Sequence, residues 1–446
     1  MIILQVSHKE NIIFMVYYNA IAETILNLKG ENKIITIKLF EHQIKALKDT
    51  EHRNRVAYYL DMGLGKTFVA SEKAKSFNEN IIVIVCQKSK KEDWQQHYKK
   101  FYPQYNVIIY NKELDHIEPN TVLIINYDLI KARPQFQQLR NFTLILDESS
   151  YIKSEKSKRS KFILKMKPSN VILLSGTPTG GKYEELMTQI KLLGWEIKKR
   201  DYWDKYIKYY EIDGGGYPIP IVTGYKNVDE LKMKLRQHGA VFMKTEDVIT
   251  LPETIPYEIK IKSTRNYKTF EKDRLIQIGE KEMVGDNALN QMMYLRQLAA
   301  QHNPNKVEKI KELLASTEDR IIIFYNFKEE YTELKKICEK LEKPVSTVNG
   351  EIRDLNNYES LENTVVLIQY QAGAMGLNLQ KSNKIIYFSL PLSSELFEQS
   401  KKRTHRLGQQ RTCIYYYLIT EKSIEEKILK TLKMRKDYTD KLFLEG

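Results

Sequence analysis

The chain is 446 residues long, 42% hydrophobic and 29% charged, which is enough for two or three domains with cores of ordinary size and too apolar for a disordered chain. Its 71 Lys and Arg against 57 Asp and Glu leave a net charge of +14, which favours a polyanionic partner, nucleic acid foremost. Three cysteines, Cys86, Cys338 and Cys413, stand far apart without CxxC or Cys/His spacing; this argues against a disulfide framework or structural zinc and fits a reducing cytoplasm.

In chain order, the opening MIILQVSHKENIIFMVYY interrupts its apolar stretches with His8, Lys9, Glu10 and Asn11 and lacks a small-residue cleavage pattern, so no secretory signal is expected. No apolar run approaches the roughly eighteen residues of a membrane span, and no membrane partner is expected. Residues 1–37 read as an N-terminal extension with an amphipathic helix near Tyr18–Leu28 and a strand at Lys33–Ile37. From residue 38, short β-branched runs alternate with helical patterns: Val56–Leu60, Ile81–Val85, Val107–Tyr110, Val122–Ile125, Leu144–Leu146 and Val171–Leu174. A second series follows at Ile321–Tyr325, Pro344–Val348, Val365–Ile368, Ile385–Phe388 and Cys413–Ile419. Continuous apolar strands between helices predict an α/β fold of two lobes, 38–192 and 256–446, each a parallel sheet flanked by helices. Between them, 193–255 is rich in Trp, Tyr and Lys and carries Gly214–Gly216 and Pro218–Pro220, the marks of a helical and loop protrusion or linker. No internal repeat or low-complexity tract is present.

Chemistry first appears at Met62-Gly63-Leu64-Gly65-Lys66-Thr67, between a predicted strand and a predicted helix. Glycines there let backbone amides close on phosphate oxygens, Lys66 supplies a point charge for the β and γ phosphates, and the Thr67 hydroxyl can ligate Mg²⁺. The full phosphate-loop pattern wants glycine at position 60, where this chain has Leu60, so a chance glycine turn is the competing reading. Further on, Phe142–Leu146 runs into Asp147-Glu148-Ser149-Ser150. A carboxylate leaving the C-terminal end of a buried strand suits an Mg²⁺ ligand at Asp147, with Glu148 orienting the attacking water; a simple helix-capping pair is the alternative.

With Leu39-Phe40-Glu41-His42-Gln43, Leu174-Ser175-Gly176-Thr177-Pro178, Gln371–Leu379 and Gln399–Gln409 added in this order, the chain resembles superfamily 2 helicase-like ATPases of the Swi/Snf branch. The resemblance covers about residues 38–435. It implies RecA-like lobes with ATP between them, Phe40, Gln43, Gly376 and Gln399 joining the phosphate loop around the nucleotide, and Arg403 and Arg406 as arginine fingers. Ser175, Gly176 and Thr177 would couple hydrolysis to nucleic-acid contact, which Gln87, Lys88, Ser89, Asn126, Gly350, Gln371 and Ala372 would make through small polar groups and exposed amides. Phe242–Val248 followed by Leu251-Pro252 is similar to the approach this branch places before its second lobe. Ser149-Ser150, Lys402 and Leu390-Pro391-Leu392 depart from the family pattern, which bears on coupling rather than on hydrolysis.

The basic stretch Tyr151–Lys167, with seven Lys or Arg against Glu155 alone, is either a phosphate track or a solvated helix face. The three tryptophans and most of the 29 tyrosines read as packing rather than base stacking. The leading expectation is a monomeric ATP- and Mg²⁺-dependent translocase or helicase on DNA, duplex favoured. A strand-separating DNA or RNA helicase, or a regulator that binds nucleic acid without turnover, stands beside it. Compact size and a Lys, Ile and Asn-rich composition suggest a minimal motor of phage or bacterial type, working in the cytoplasm.

Overall fold

The computed structural model describes residues 37–111, 116–373 and 377–443. The helix expected at Tyr18–Leu28, the Lys33–Thr36 part of the expected strand, and Gly376 lie outside the described residues. The rest gathers into two compact units that divide between Thr250 and Leu251.

The first unit is built on a seven-stranded sheet: β1 (Arg55–Leu60), β2 (Ile81–Cys86), β3 (Asn106–Ile109), β4 (Thr121–Asn126), β5 (Thr143–Leu146), β6 (Asn170–Leu174) and, after a hairpin of β7 (Ile207–Asp213) and β8 (Pro218–Tyr225), β9 (Ala240–Met243). The order is β3-β4-β2-β5-β6-β1-β9, and every pair is parallel. Both faces are covered, which is why these strands read as unbroken apolar runs. On β1, Ala57 and Tyr59 enter one core and Val56, Tyr58 and Leu60 the other. The stretch read as a protrusion does form the β7–β8 hairpin, whose Tyr210 and Tyr217 are exposed, yet it also supplies β9. Gly239 makes that return possible: its φ is +86°, and a Cβ there would lie 2.4 Å from the Arg55 carbonyl oxygen.

The second unit repeats the architecture. Its strands are β10 (Thr254–Ile261), β13 (Ile321–Tyr325), β14 (Val345–Val348), β15 (Arg353–Asp354), β16 (Val365–Gln369), β17 (Lys384–Tyr387) and β18 (Cys413–Thr420); a separate small hairpin holds β11 (Leu275–Ile278) and β12 (Lys281–Val284). The order is β10-β18-β17-β13-β16-β14-β15, parallel except for the two-residue edge strand β15. All five strands expected from the second apolar series are present. β10, with Tyr257 exposed and Pro256 in its middle, is an edge strand, the position where a missing N–H is tolerated.

In the first unit the helix Lys91–Phe101 packs His97 among the rings of Phe68, Trp94, Tyr98, Phe101 and Tyr102, with Ser71 Oγ 3.1 Å from its Nε2. Burial pushes this imidazole down from 6.5 to about 4. The folded chain therefore refuses a proton that the unfolded chain accepts, so stability is unaffected above pH 6.5 and falls as pH drops from there toward 4. The full loss is about 3 kcal/mol. His97→Gln is expected to flatten this part of the curve; urea midpoints measured across the range that fall equally in both proteins would rule His97 out as its cause.

Candidate nucleotide-binding and catalytic site

Because all strands of the first sheet run the same way, the loops leaving their C-terminal ends share one edge. Read along it, this edge carries Asn126 at the end of β4, Gln87–Ser89 after β2, Asp147-Glu148 after β5, Ser175–Thr177 after β6 and Met62–Thr67 after β1. The positions expected to touch nucleic acid thus occupy one half of the edge and those expected to touch nucleotide the other.

The phosphate-loop reading meets its structural requirement, since strand, loop and helix Lys66–Ser76 follow one another directly. Gly65 caps the helix with φ +73°, a backbone conformation that strains any side-chain-bearing residue, and a Cβ there would lie 2.2 Å from Gln43 Nε2 and displace that amide. The Gln43 side chain is buried against the loop: its Nε2 donates to the Leu64 carbonyl at 3.2 Å and its Oε1 accepts from Phe40 N at 3.0 Å. His42 lies 3.1 Å from the same carbonyl, and the exposed Phe40 ring stacks on it at 5.7 Å. The Lys66 ammonium donates to the Leu60 and Asp61 carbonyls at 2.8 and 3.2 Å. A Cβ on Gly176 would lie 3.6 Å from that ammonium nitrogen, so the Ser175–Thr177 loop abuts the phosphate loop. Asp61 Oδ2 accepts from Thr245 N and Oγ1, both at 3.2 Å, which fastens the residues after β9 to the same loop.

Asp147 is not a helix cap, for the 3₁₀ turn Ser149–Ile152 has no side-chain cap at its start. Instead Trp94 Nε1 donates to Asp147 Oδ2 at 2.8 Å, and the Tyr127 hydroxyl donates to the Asp147 carbonyl at 2.8 Å. Burial pushes the Asp147 carboxyl up, opposed first by the Trp94 hydrogen bond and then by the positive charges of Lys66 and Lys90. Glu148 sits at φ +50°, a left-handed conformation that costs a non-glycine residue energy and is kept where the surroundings enforce it. Lys66 and Asp147 are thereby gathered at one place, and Thr67 lies in the first turn of the helix beside it. Trp94 was legible only as a packing aromatic; the signal that could have singled it out is that a buried Trp needs a partner for its N–H.

The donor set suits Mg²⁺. Asp147 and Thr67 offer hard oxygens, and a carboxylate has lone pairs beyond the one Trp94 occupies. Among the described residues no group of three or more His, Cys, Asp or Glu could hold a metal.

In the second unit, Gln371 and Ala372 lie in the short helix after β16, exposed and buried respectively, and Gly350 lies in the turn after β14, where the Asn349 side chain accepts from Glu351 and Ile352 N. Gln399 closes the helix Ser394–Lys401, its Nε2 donating to Glu395 Oε1 at 3.4 Å. Arg403 and Arg406 pair with the segment after the undescribed Gly376: Leu379 N donates to the Arg403 carbonyl at 3.0 Å and Arg406 Nη1 to the Leu377 carbonyl at 3.4 Å. Gln409 Nε2 donates to the Gln380 and Ser382 carbonyls at 3.1 and 2.9 Å, closing the same loop. Arg403 is buried, and burial lowers the pKa of Arg406, which leaves it a cation at neutral pH.

Of the nucleic-acid candidates in the first unit, Gln87 begins the 3₁₀ turn Lys88–Lys90, while Asn126 caps a short helix by accepting from Asp128 and Leu129 N. In the basic stretch the helix Lys158–Lys165 exposes Lys158, Lys161 and Lys165. Arg159 is held back, stacked over the rings of Tyr127 and Tyr151 at 5.4 and 5.3 Å and paired with Asp128 at 2.9 Å.

Comparisons with known proteins match residues 42–305 to the SNF2-related domain and 305–408 to the helicase conserved C-terminal domain. Similar proteins include the SWI/SNF-related matrix-associated actin-dependent regulator of chromatin subfamily A-like protein 1 of Xenopus laevis, 25% identical over 82% of this chain and 40% of its own length. The human DNA annealing helicase and endonuclease ZRANB3 is 26% identical over 82% of this chain and 36% of its own length, so the chain spans about two fifths of these relatives. A solved structure, the Sulfolobus solfataricus SWI2/SNF2 ATPase core in complex with dsDNA, is 21% identical over 92% of this chain and 94% of that one, with a TM-score of 0.44. The domain match takes in more than half of the chain, and it spans the phosphate loop, the Asp147 turn and the Ser175–Thr177 loop together; this chain belongs to the SNF2-related family.

Proposed function

We propose that the chain is an ATP hydrolase that uses the energy of hydrolysis to move along DNA, duplex preferred. The observation that carries this reading is the placement of the Lys66 ammonium and the Asp147 carboxylate at the C-terminal edge of one parallel sheet, near enough for the lysine charge to oppose the rise that burial imposes on the carboxyl, with Gly176 against the ammonium. An amine and an acid held there answer the two needs of phosphoryl transfer, charge neutralisation on the β and γ phosphates and a ligand for the cation that accompanies them.

In this reading the Gly63–Gly65 backbone and the first turn of helix Lys66–Ser76 grip the phosphates, and Phe40 and Gln43 meet the base. Thr67 and Asp147 hold Mg²⁺, which when bound neutralises phosphate charge. Glu148 orients the attacking water. Gln399 and the residues around Gly376 contribute to nucleotide binding from the second unit, and Arg403 and Arg406 neutralise charge that develops on the γ-phosphoryl group. Gln87, Lys88, Ser89, Asn126, Gly350, Gln371 and Ala372 hold the DNA backbone, and Ser175, Gly176 and Thr177 link its presence to turnover. The functional parts are 38–192, the 193–255 protrusion or linker and 256–446, acting as a monomer in the cytoplasm.

The test is phosphate release from ATP with Mg²⁺, measured with no polynucleotide and with duplex DNA, single-stranded DNA or RNA. Turnover is expected to rise tenfold or more, roughly 1.4 kcal/mol of barrier, and most with duplex DNA. Greater stimulation by single strands or RNA would replace the duplex assignment with a strand-separating or RNA helicase. No hydrolysis under any condition would leave a nucleic-acid-binding regulator.

A further inference from the structure

The helix Met187–Leu192 packs Met187, Ile190 and Leu192 into the core of the first unit, and among them it buries an amide, Gln189, with no exposed surface. An amide placed there without hydrogen bonds would destabilise the fold, and leucine would fill the space. Gln189 instead makes three hydrogen bonds. Its Oε1 accepts from the Tyr59 hydroxyl at 2.9 Å and from Ser149 Oγ at 2.8 Å, and its Nε2 donates to the Pro178 carbonyl at 2.8 Å. Turning the amide over would set Oε1 against the Pro178 carbonyl oxygen, acceptor against acceptor, so one orientation alone satisfies all three partners.

Each partner belongs to a different piece of the site. Tyr59 precedes Leu60, whose carbonyl receives the Lys66 ammonium. Ser149 follows Glu148, held at φ +50° beside Asp147. Pro178 ends the loop whose Gly176 abuts Lys66. Gln189 itself touches none of Lys66, Asp147 or Glu148 through any of these bonds. One buried amide therefore ties the C-terminal end of strand β1, which leads into the phosphate loop, to the turns that leave β5 and β6.

We propose that Gln189 is a positioning residue for ATP hydrolysis, fixing the carboxylate turn and the Ser175–Thr177 loop relative to the phosphate loop so that a shift in one is carried to the others. This rests on the function proposed above. Misplacement of a reacting group by about 1 Å is enough to cost roughly a hundredfold in rate. ATP is gripped mainly by the phosphate loop, so its binding is the less affected step.

The experiment uses the full chain with ATP, Mg²⁺ and duplex DNA. Gln189→Leu is expected to lower stimulated kcat by about 10- to 100-fold, with KM for ATP within about threefold of the parent. Its Tm falls as well, because two hydroxyls and a carbonyl lose their partner. The triple variant Tyr59→Phe, Ser149→Ala, Gln189→Leu removes both stranded hydroxyls and leaves only the Pro178 carbonyl without its donor; it should regain most of the lost Tm and leave kcat low. Recovery of both together would make Gln189 a packing residue and overturn the proposal, as would an unchanged kcat in Gln189→Leu. Should that variant not fold, Ser149→Ala cuts the link to the carboxylate turn alone, and stimulated kcat equal to the parent's would be equally fatal. A parent protein that hydrolyses no ATP removes the proposed function and this inference together, whereas an active parent with indifferent variants removes only the inference.

Discussion

Lys66→Ala is expected to abolish most ATP turnover while leaving the protein folded. The side chain makes two hydrogen bonds in this structure, both to carbonyls of its own loop, and neither Leu60 nor Asp61 depends on it for a place in the sheet. Removing a single fixed donor aimed at developing negative charge costs about 10²–10³-fold in rate, roughly 3–4 kcal/mol of barrier. Lys66 is expected to lie at or beyond the upper end, because its loss also removes a positive charge that holds the Asp147 carboxyl down. Duplex-stimulated phosphate release should therefore fall by about a thousandfold or more, with the thermal midpoint within a few degrees of the parent. Equal turnover in the two proteins would show that the Met62–Thr67 loop is not where phosphates bind, and the reading of Asp147 as a magnesium ligand would fall with it.

That loop was readable from the sequence because its chemistry is local: glycine, lysine and threonine adjacent to one another, bounded by a strand and a helix whose apolar patterns are strong. The eleven strands of the two apolar series were legible for a related reason, since a strand buried on both faces leaves an unbroken run such as Ile81–Val85. β9 and β10 were not. Ala240–Met243 is four residues with no period of its own, and it becomes a strand through the close approach of Gly239 to Arg55. Thr254–Ile261 alternates Tyr257, Glu258 and Lys260 with smaller apolar groups around Pro256, as an edge strand does, and its partner β18 is more than 150 positions away. The site divides along the same line. Lys66, Thr67 and Asp147 carry their own signals, whereas the contacts that hold them, Trp94 to Asp147, Thr245 to Asp61 and Gln189 to Tyr59, Ser149 and Pro178, join residues distant in sequence that only the sheet order brings together. A buried Trp or Gln announces that it needs a partner and does not say which.

The second large effect is on stability and is independent of nucleotide chemistry. In the second unit, Lys306 in helix Pro304–Ala315 and Glu425 at the start of helix Ile424–Phe443 form an ion pair with side chains 0% and 2% exposed. The ammonium donates to both carboxylate oxygens, at 2.7 and 2.8 Å, and Oε2 also accepts from Thr420 N at 2.9 Å. Burial pushes the Glu425 carboxyl up, and the Lys306 charge is the first force opposing it. Two ions removed from water are costly together and far more so apart, so the pair contributes little net stability while each member becomes indispensable to the other. Lys306→Met is accordingly expected to cost about 3–5 kcal/mol. Glu425 would then have its pKa raised further in the folded state, so the damage should be least below the ordinary carboxylate range and grow as pH rises through the folded value. The double variant Lys306→Met, Glu425→Leu removes both charges of the pair and should recover most of the loss, whereas independent contributions would simply add. Urea unfolding followed by a probe in this unit separates the outcomes: single variants costing less than about 1 kcal/mol, or a double variant as unstable as the sum of the singles, would show that the two charges are not held as a mutually dependent pair.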